Sequence, residues 1–218
     1  MLNAWIWSMI ALGAICQPPS QGDVGNVVGL KGVGGQEGTG VIISKQGQTA
    51  LVLTAAHLLA EGDTSVTATM FRQESVSRPL SKIYKAILIH KNTEADIAFL
   101  RFDVTGLSVT PARLAAARTR ISASGADIHS VGCDRGYPTD RTEVILGKRL
   151  LNRPGSGSAF FWQARDPSIP GRSGGPLWNA DDQLIGICSG YQAGKGYYTH
   201  IDEIRASCHR FAPTWPVP

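Results

Sequence analysis

The chain has 218 residues, with 21 Lys and Arg against 17 Asp and Glu, 43% hydrophobic residues, 25 Gly and 12 Pro. Its apolar fraction excludes a disordered tail, and so many Gly and Pro exclude a coiled coil or a long helical bundle. The net charge of +4 is small, and even the densest basic stretch, Arg113 to Arg120, has no aromatic residues interleaved, so no nucleic-acid partner is expected.

Met1 to Cys16 carries no charged residue, and Ala4 to Cys16 is apolar apart from Ser8. A run of that length falls short of the ~20 residues needed to span a bilayer as a helix. It suits the apolar segment of a secretory signal peptide over residues 1–16, with Ala14 and Cys16 as the small residues ahead of cleavage before Gln17. A positively charged start is missing. The expected location is secreted or periplasmic, with no stable membrane insertion once the signal is removed. Cys133, Cys188 and Cys208 then remain, which allows one internal disulfide at most. Cys188, Cys208 and His209 do not have the two-plus-two spacing of a zinc site, so neither a metal nor a cofactor is expected.

From about residue 24 the sequence alternates short strands and turns. Gly40–Ser44 and Ala50–Thr54 flank a Lys45-Gln46-Gly47-Gln48 turn and read as a hairpin. Ile83 to His90 and Asp96 to Phe102 form a second pair, and Val104 to Pro111 reads as a linker. Further strands are expected over Asp127–Gly132, Thr142–Leu146, Ala159–Ala164, Leu184–Cys188 and Tyr197–Ile201. The one helix expected is Ile201–Phe211, with Asp202 and Glu203 in its first turn and Arg210 in its last, where they complement the helix dipole. This is an all-β pattern with a short C-terminal helix.

Three segments carry chemistry. Leu53-Thr54-Ala55-Ala56-His57 ends a strand in small residues, which lets the backbone hold an imidazole, the side chain suited to proton shuttling. Asp96 opens the apolar run Ile97-Ala98-Phe99-Leu100, where a carboxylate needs a hydrogen-bonding partner. Pro170-Gly171-Arg172-Ser173-Gly174-Gly175-Pro176 surrounds one hydroxyl with Gly, so that backbone N–H groups can converge on a developing oxyanion.

Together these segments resemble the chymotrypsin-like (trypsin-fold) serine proteases, in the family's order of His, Asp and Ser. Gly38-Thr39-Gly40-Val41-Ile42, Leu184 to Gly190 and Gly196 to Ile201 extend the likeness over most of the chain. The resemblance implies two six-stranded antiparallel β-barrels: residues 17–106 carrying His57 and Asp96, and residues 107–218 carrying Ser173 and the helix. It implies Ser173 as nucleophile, His57 as general base and then acid, and Asp96 as the group that orients His57. It further implies an oxyanion hole from the N–H groups of Gly171 and Ser173, and a substrate-pairing strand at Ser189, Gly190 and Tyr191. The expected partner is a polypeptide substrate and the expected state a monomer. Only about 15 residues follow Glu203, so no C-terminal peptide-binding domain is expected.

The departures are equally specific. Pancreatic-type members carry an acidic residue before the nucleophile, which pairs with a terminus freed by zymogen cleavage. This chain has Arg172 there, so activation of that type is not expected, and the pattern is closer to bacterial members. The pocket wall aligns with Pro167 to Pro170, and Asp166 lies one residue from the position where trypsin has its carboxylate. A neutral pocket is preferred over an acidic one, with Tyr191 at its entrance. Two other readings compete. An α/β-hydrolase would need Asp181 or Asp182 with His200 after Ser173, but no strand–helix alternation precedes the serine. A non-catalytic protease-like binding module would use Arg172 to hold the oxyanion loop collapsed.

Overall fold

The computed structural model describes residues 24–72, 80–117, 121, 128–153 and 157–216. The expected signal segment and the start of the strand foreseen at Asp127 lie outside them. Six strands form the first unit: β1 (Val27–Lys31), β2 (Glu37–Gln46), β3 (Thr49–Thr54), β4 (Ser65–Arg72), β5 (Leu80–Asn92) and β6 (Ile97–Asp103). They close into an antiparallel barrel in the order β1-β2-β3-β6-β5-β4. The β2–β3 hairpin turns where expected, with Gly47 at φ 59°, a left-handed value that costs Gly little. The sequence reading did not single out β1 or β4. In β4, Val66, Ala68 and Met70 point inward in strict alternation, but the intervening Thr residues make the signal weak.

The second unit holds β7 (Arg113–Leu114), β8 (His129–Gly132), β9 (Thr139–Thr142), β10 (Ile145–Arg153), β11 (Gly157–Ala164), β12 (Pro176–Trp178), β13 (Gln183–Gln192) and β14 (Lys195–His200). Their sheet order is β10-β11-β14-β13-β12-β8-β9, with the two-residue β7 added parallel to β13. β9 and β10 are one bent strand broken at Glu143 and Val144, and one half pairs with β8 and the other with β11. The strand expected over Thr142–Leu146 is therefore split. At the break, the Glu143 N–H donates to Ile128 O on the β8 side and Val144 O accepts the Arg165 N–H on the β11 side, while the Glu143 side chain is 1% exposed and turns inward to polar partners. α1 (Ile201–Phe211) follows β14 as the spacing predicts.

β2, β3 and β6 are buried on both faces. Ile42, Val52 and Leu100 fill the first barrel. Val41, Ile43, Leu51, Leu53, Ile97 and Phe99, on the opposite face, join a second core with Phe161, Leu177, Ile187 and Tyr198. That is why these strands read as unbroken apolar runs rather than alternating ones. The packed seam between the two β units is where the three chemical segments meet.

Candidate active site

A 3₁₀ turn over Ala56–Leu58 follows β3 and presents His57, whose side chain is 42% exposed. Asp96 does not open β6, as the sequence suggested, but closes the turn before it. There Asn92 Oδ1 accepts the N–H groups of Glu94 and Ala95, and Asp96 sits at φ 55°. Asp tolerates this left-handed value better than most residues, and the conformation turns its carboxylate inward. Asp96 is 1% exposed. Its Oδ1 accepts the His57 N–H at 2.9 Å and its Oδ2 lies 2.9 Å from His57 Nδ1. Ser189 Oγ also donates to Oδ2. On the other side of the ring, His57 Nε2 is 2.9 Å from Ser173 Oγ.

The Ser173 loop, between β11 and β12, is fixed by close approach. A Cβ on Gly174 would stand 2.2 Å from Thr39 O and Thr54 Oγ1, and one on Gly175 would stand 2.2 Å from Val131 O. Only Gly fits at either position. The Arg172 N–H donates to Ile169 O, the Gly174 N–H to Cys188 O and the Gly175 N–H to Arg172 O. Among the described residues, the N–H groups of Gly171 and Ser173 take part in none of the backbone hydrogen bonds that fix this turn.

β12 pairs with β13 only as far as Ile187, so from Gly190 onward β13 is paired on one side, with β14. Among the described residues, no strand pairs with the opposite edge at Gly190 and Tyr191, and Tyr191 is 66% exposed. Asp166 is exposed on the surface, and its carbonyl packs against Gly196, where a Cβ would come within 2.6 Å. Ser168 is buried.

Sequence reasoning missed three supports. Thr39 links both β units. Its N–H donates to Ser173 O at 2.7 Å, its Oγ1 donates to Gly171 O at 2.7 Å and accepts the Cys133 N–H at 2.9 Å, and its carbonyl accepts from Thr54 Oγ1. A hydroxyl between Gly38 and Gly40 was the available signal. Glu143 accepts from Ser130 Oγ at 2.7 Å and from Tyr198 Oη at 2.6 Å, and pairs with Arg141 at 3.1 Å. Burial, with Glu143 close by, pushes the Tyr198 hydroxyl well above its usual range, so it stays a neutral donor. Arg141 also donates to Pro167 O at 3.0 Å. The third support is Asp134, the partner of Arg172.

The three described cysteines are free and buried rather than bridged. Burial raises the Cys133 and Cys208 thiols to about 12 and the Cys188 thiol to about 11, which leaves them unreactive. His200, which the α/β-hydrolase reading required, is 1% exposed and bonds to α1, whereas His57 contacts Ser173.

A family model of the trypsin-like peptidase domain matches residues 38–187, and the chain belongs to that family. Among curated proteins it is 29% identical, over 152 residues, to a probable periplasmic serine endoprotease DegP-like of Pseudomonas fluorescens. That match takes in 70% of this chain but 29% of the relative, so the chain corresponds to under a third of that protein's length. Among solved structures it is similar to the Rv3671c protease from M. tuberculosis in its active form, with TM-score 0.67, 24% identity, and 89% of this chain and 84% of that one covered. The inactive form of the same protease matches at TM-score 0.66 and 25% identity, covering 86% and 89%. The fold likeness is thus equal for both forms, and it is the local geometry around Ser173 that bears on activity.

Proposed function

We propose that the chain is a serine endopeptidase acting on polypeptides in the periplasm or outside the cell. The observation that carries this reading is the continuous hydrogen-bonded path Asp96–His57–Ser173; the N–H groups of Gly171 and Ser173, which take no part in the backbone bonds of this turn, would form the oxyanion hole. Ser173 Oγ attacks the scissile carbonyl carbon while His57 Nε2 takes the hydroxyl proton. The carbonyl oxygen becomes an oxyanion held by the two N–H groups. Collapse breaks the C–N bond, and His57 returns the proton to the leaving amine, leaving an acyl-enzyme. Water repeats the sequence to free the acid. Asp96 orients His57 and stabilises its protonated form.

An extended substrate would add to the open edge at Ser189, Gly190 and Tyr191. The exposed position of Asp166 supports a neutral primary pocket. Residues 17–106 and 107–218 would be the two barrels. In support of that division, β1 to β6 form ladders only with one another. The uncharged start of the sequence, together with the periplasmic relatives, supports an exported protein, and among the described residues no helix is long and apolar enough to cross a membrane.

The test is labelling of the purified protein with a fluorophosphonate probe. Ser173 should be modified, and His57→Ala should reduce the labelling rate by at least a hundredfold. Absence of label on Ser173 returns the chain to a non-catalytic binding module.

A further inference from the structure

The residue between the two oxyanion donors is Arg172, which is 2% exposed. A guanidinium stays that deeply buried only if it is paired and hydrogen-bonded. Its Nη1 donates to Asp134 Oδ1 at 2.7 Å, to Thr139 Oγ1 at 3.0 Å and to Thr139 O at 3.2 Å. Its Nη2 donates to Ser130 O at 2.6 Å and to Ser130 Oγ at 2.9 Å. Every one of these acceptors lies on β8, on β9 or in the turn between them, more than thirty residues before Arg172.

Asp134 supplies the charge. The two side chains are 3% and 8% exposed. Thr139 Oγ1 donates a second hydrogen bond to the same carboxylate oxygen. Burial alone would raise the Asp134 carboxyl, but the hydrogen bonds from Thr139 and Arg172 and the charge of Arg172 outweigh it and hold it below its ordinary value. The pair is therefore ionised at neutral pH. The backbone of Asp134 also lies against the oxyanion loop, since a Cβ on Gly171 would stand 2.9 Å from Asp134 Cα. Gly171 is held there at φ 90°, and this angle sets the direction of its N–H.

We infer that Asp134 is a positioning residue for the oxyanion hole. Its carboxylate anchors Arg172, and through Arg172 it holds the N–H groups of Gly171 and Ser173 in the orientation that receives an oxyanion. Relative to pancreatic-type members the polarity is reversed. The loop carries the cation, and the anion belongs to the same folded unit instead of the cation being a terminus freed by cleavage. The loop is thus set as the second unit folds. Arg172 does not collapse the hole but braces it.

This inference rests on the protease reading, and the experiment separates the two. Wild type, Asp134→Ala and Asp134→Asn are compared for kcat and KM on a fluorogenic peptide taken from a cleavage profile. Inhibition by the matching peptide aldehyde, which forms an oxyanion on Ser173, is compared with binding of the matching peptide alcohol, which does not. Circular dichroism and Tm establish that each variant is folded. Asp134→Ala should lose at least a hundredfold in kcat with KM within threefold, a loss of the size that follows removal of one oxyanion donor. Aldehyde affinity should fall at least tenfold, with the alcohol unchanged. Asp134→Asn keeps an acceptor for Thr139 and Arg172 and should recover part of the loss. If Asp134→Ala does not fold, Asp134→Asn decides alone, with a tenfold loss of kcat at constant KM expected. A folded variant losing less than tenfold in kcat, or losing alcohol affinity as much as aldehyde affinity, overturns the inference. Wild type that fails to label at Ser173 overturns the protease reading instead.

Discussion

Thr39 shows how much can depend on one small side chain. It sits at 0% exposure and bonds to both Gly171 O and the Cys133 N–H, so β2 of the first unit grips the Ser173 loop and the chain just after β8 in the second. Val has nearly the same shape but no hydroxyl. Thr39→Val should therefore leave a carbonyl and an N–H unpaired in the interior and cost about 1–3 kcal/mol. Urea unfolding checks the stability. The kcat should fall as well, because Gly171 O is fixed by the lost bond, while Thr39→Ser, which keeps the hydroxyl, should retain most of both. Equal kcat for Thr39→Val and wild type would show that the clamp does not reach the oxyanion loop.

At the scale of elements, two strand edges are treated in opposite ways. β11 pairs with β14 only from Phe161 to Ala164. In its remaining stretch, the Ser158 N–H is accepted by Glu94 and the Phe160 N–H by Glu203, at 3.1 and 3.0 Å. These carboxylates block that edge against pairing with another chain. Among the described residues, no carboxylate caps the β13 edge at Gly190 and Tyr191 in this way. α1 depends on His200, whose Nδ1 accepts the Asp202 N–H and caps the helix. Burial, aided by the charge of Lys148, lowers His200 from 6.5 to about 4. Between those values the unfolded chain holds the proton and the folded chain does not, so stability falls as pH drops from 6.5 towards 4. The loss attributable to His200 is about 3 kcal/mol over that window. His200→Asn keeps a capping oxygen without the titration. Urea unfolding at pH 7 and pH 4.5 should therefore show the variant losing about 2–3 kcal/mol less than wild type. An identical loss in both would assign the acid sensitivity elsewhere.

For the whole molecule, the two-faced strands couple stability to activity. Phe99 and Leu100 are adjacent on β6 and both 0% exposed, but Leu100 points into the first barrel and Phe99 into the core shared with the second unit. Phe99→Ala should cost about 3–5 kcal/mol and Leu100→Ala about 2–5. His57 and Asp96 lie on one side of the shared core and Ser173 on the other, so the proposed triad would be assembled across it. Phe99→Ala should therefore lower kcat at least threefold more than Leu100→Ala, measured at a temperature where both variants are folded. A kcat that tracks stability alone, whichever face is emptied, would count against this coupling.

The sequence by itself determined the all-β class, the helix at Ile201–Phe211 and the local shape of the segments that carry His57 and Ser173. Those are matters of short-range pattern: strand runs bounded by turn residues, charges matched to a helix dipole, and Gly where no Cβ fits beside Ser173. Tertiary structure alone decided what those segments become together. Asp96 reaches His57 through a turn set by Asn92 and a left-handed backbone, where the sequence showed only the start of an apolar strand. Asp134, Ser130 and Glu143 carried no signal of their own, because each is an ordinary polar residue until folding buries it beside a partner far along the chain. The clearest case is Arg172. Read alone it was an obstacle to an ordered oxyanion loop. Once the second unit folds, its charge is met by Asp134, and the desolvation that would have made it costly is offset by five hydrogen bonds. Partners separated in sequence and joined only by the fold cannot be read from composition or spacing.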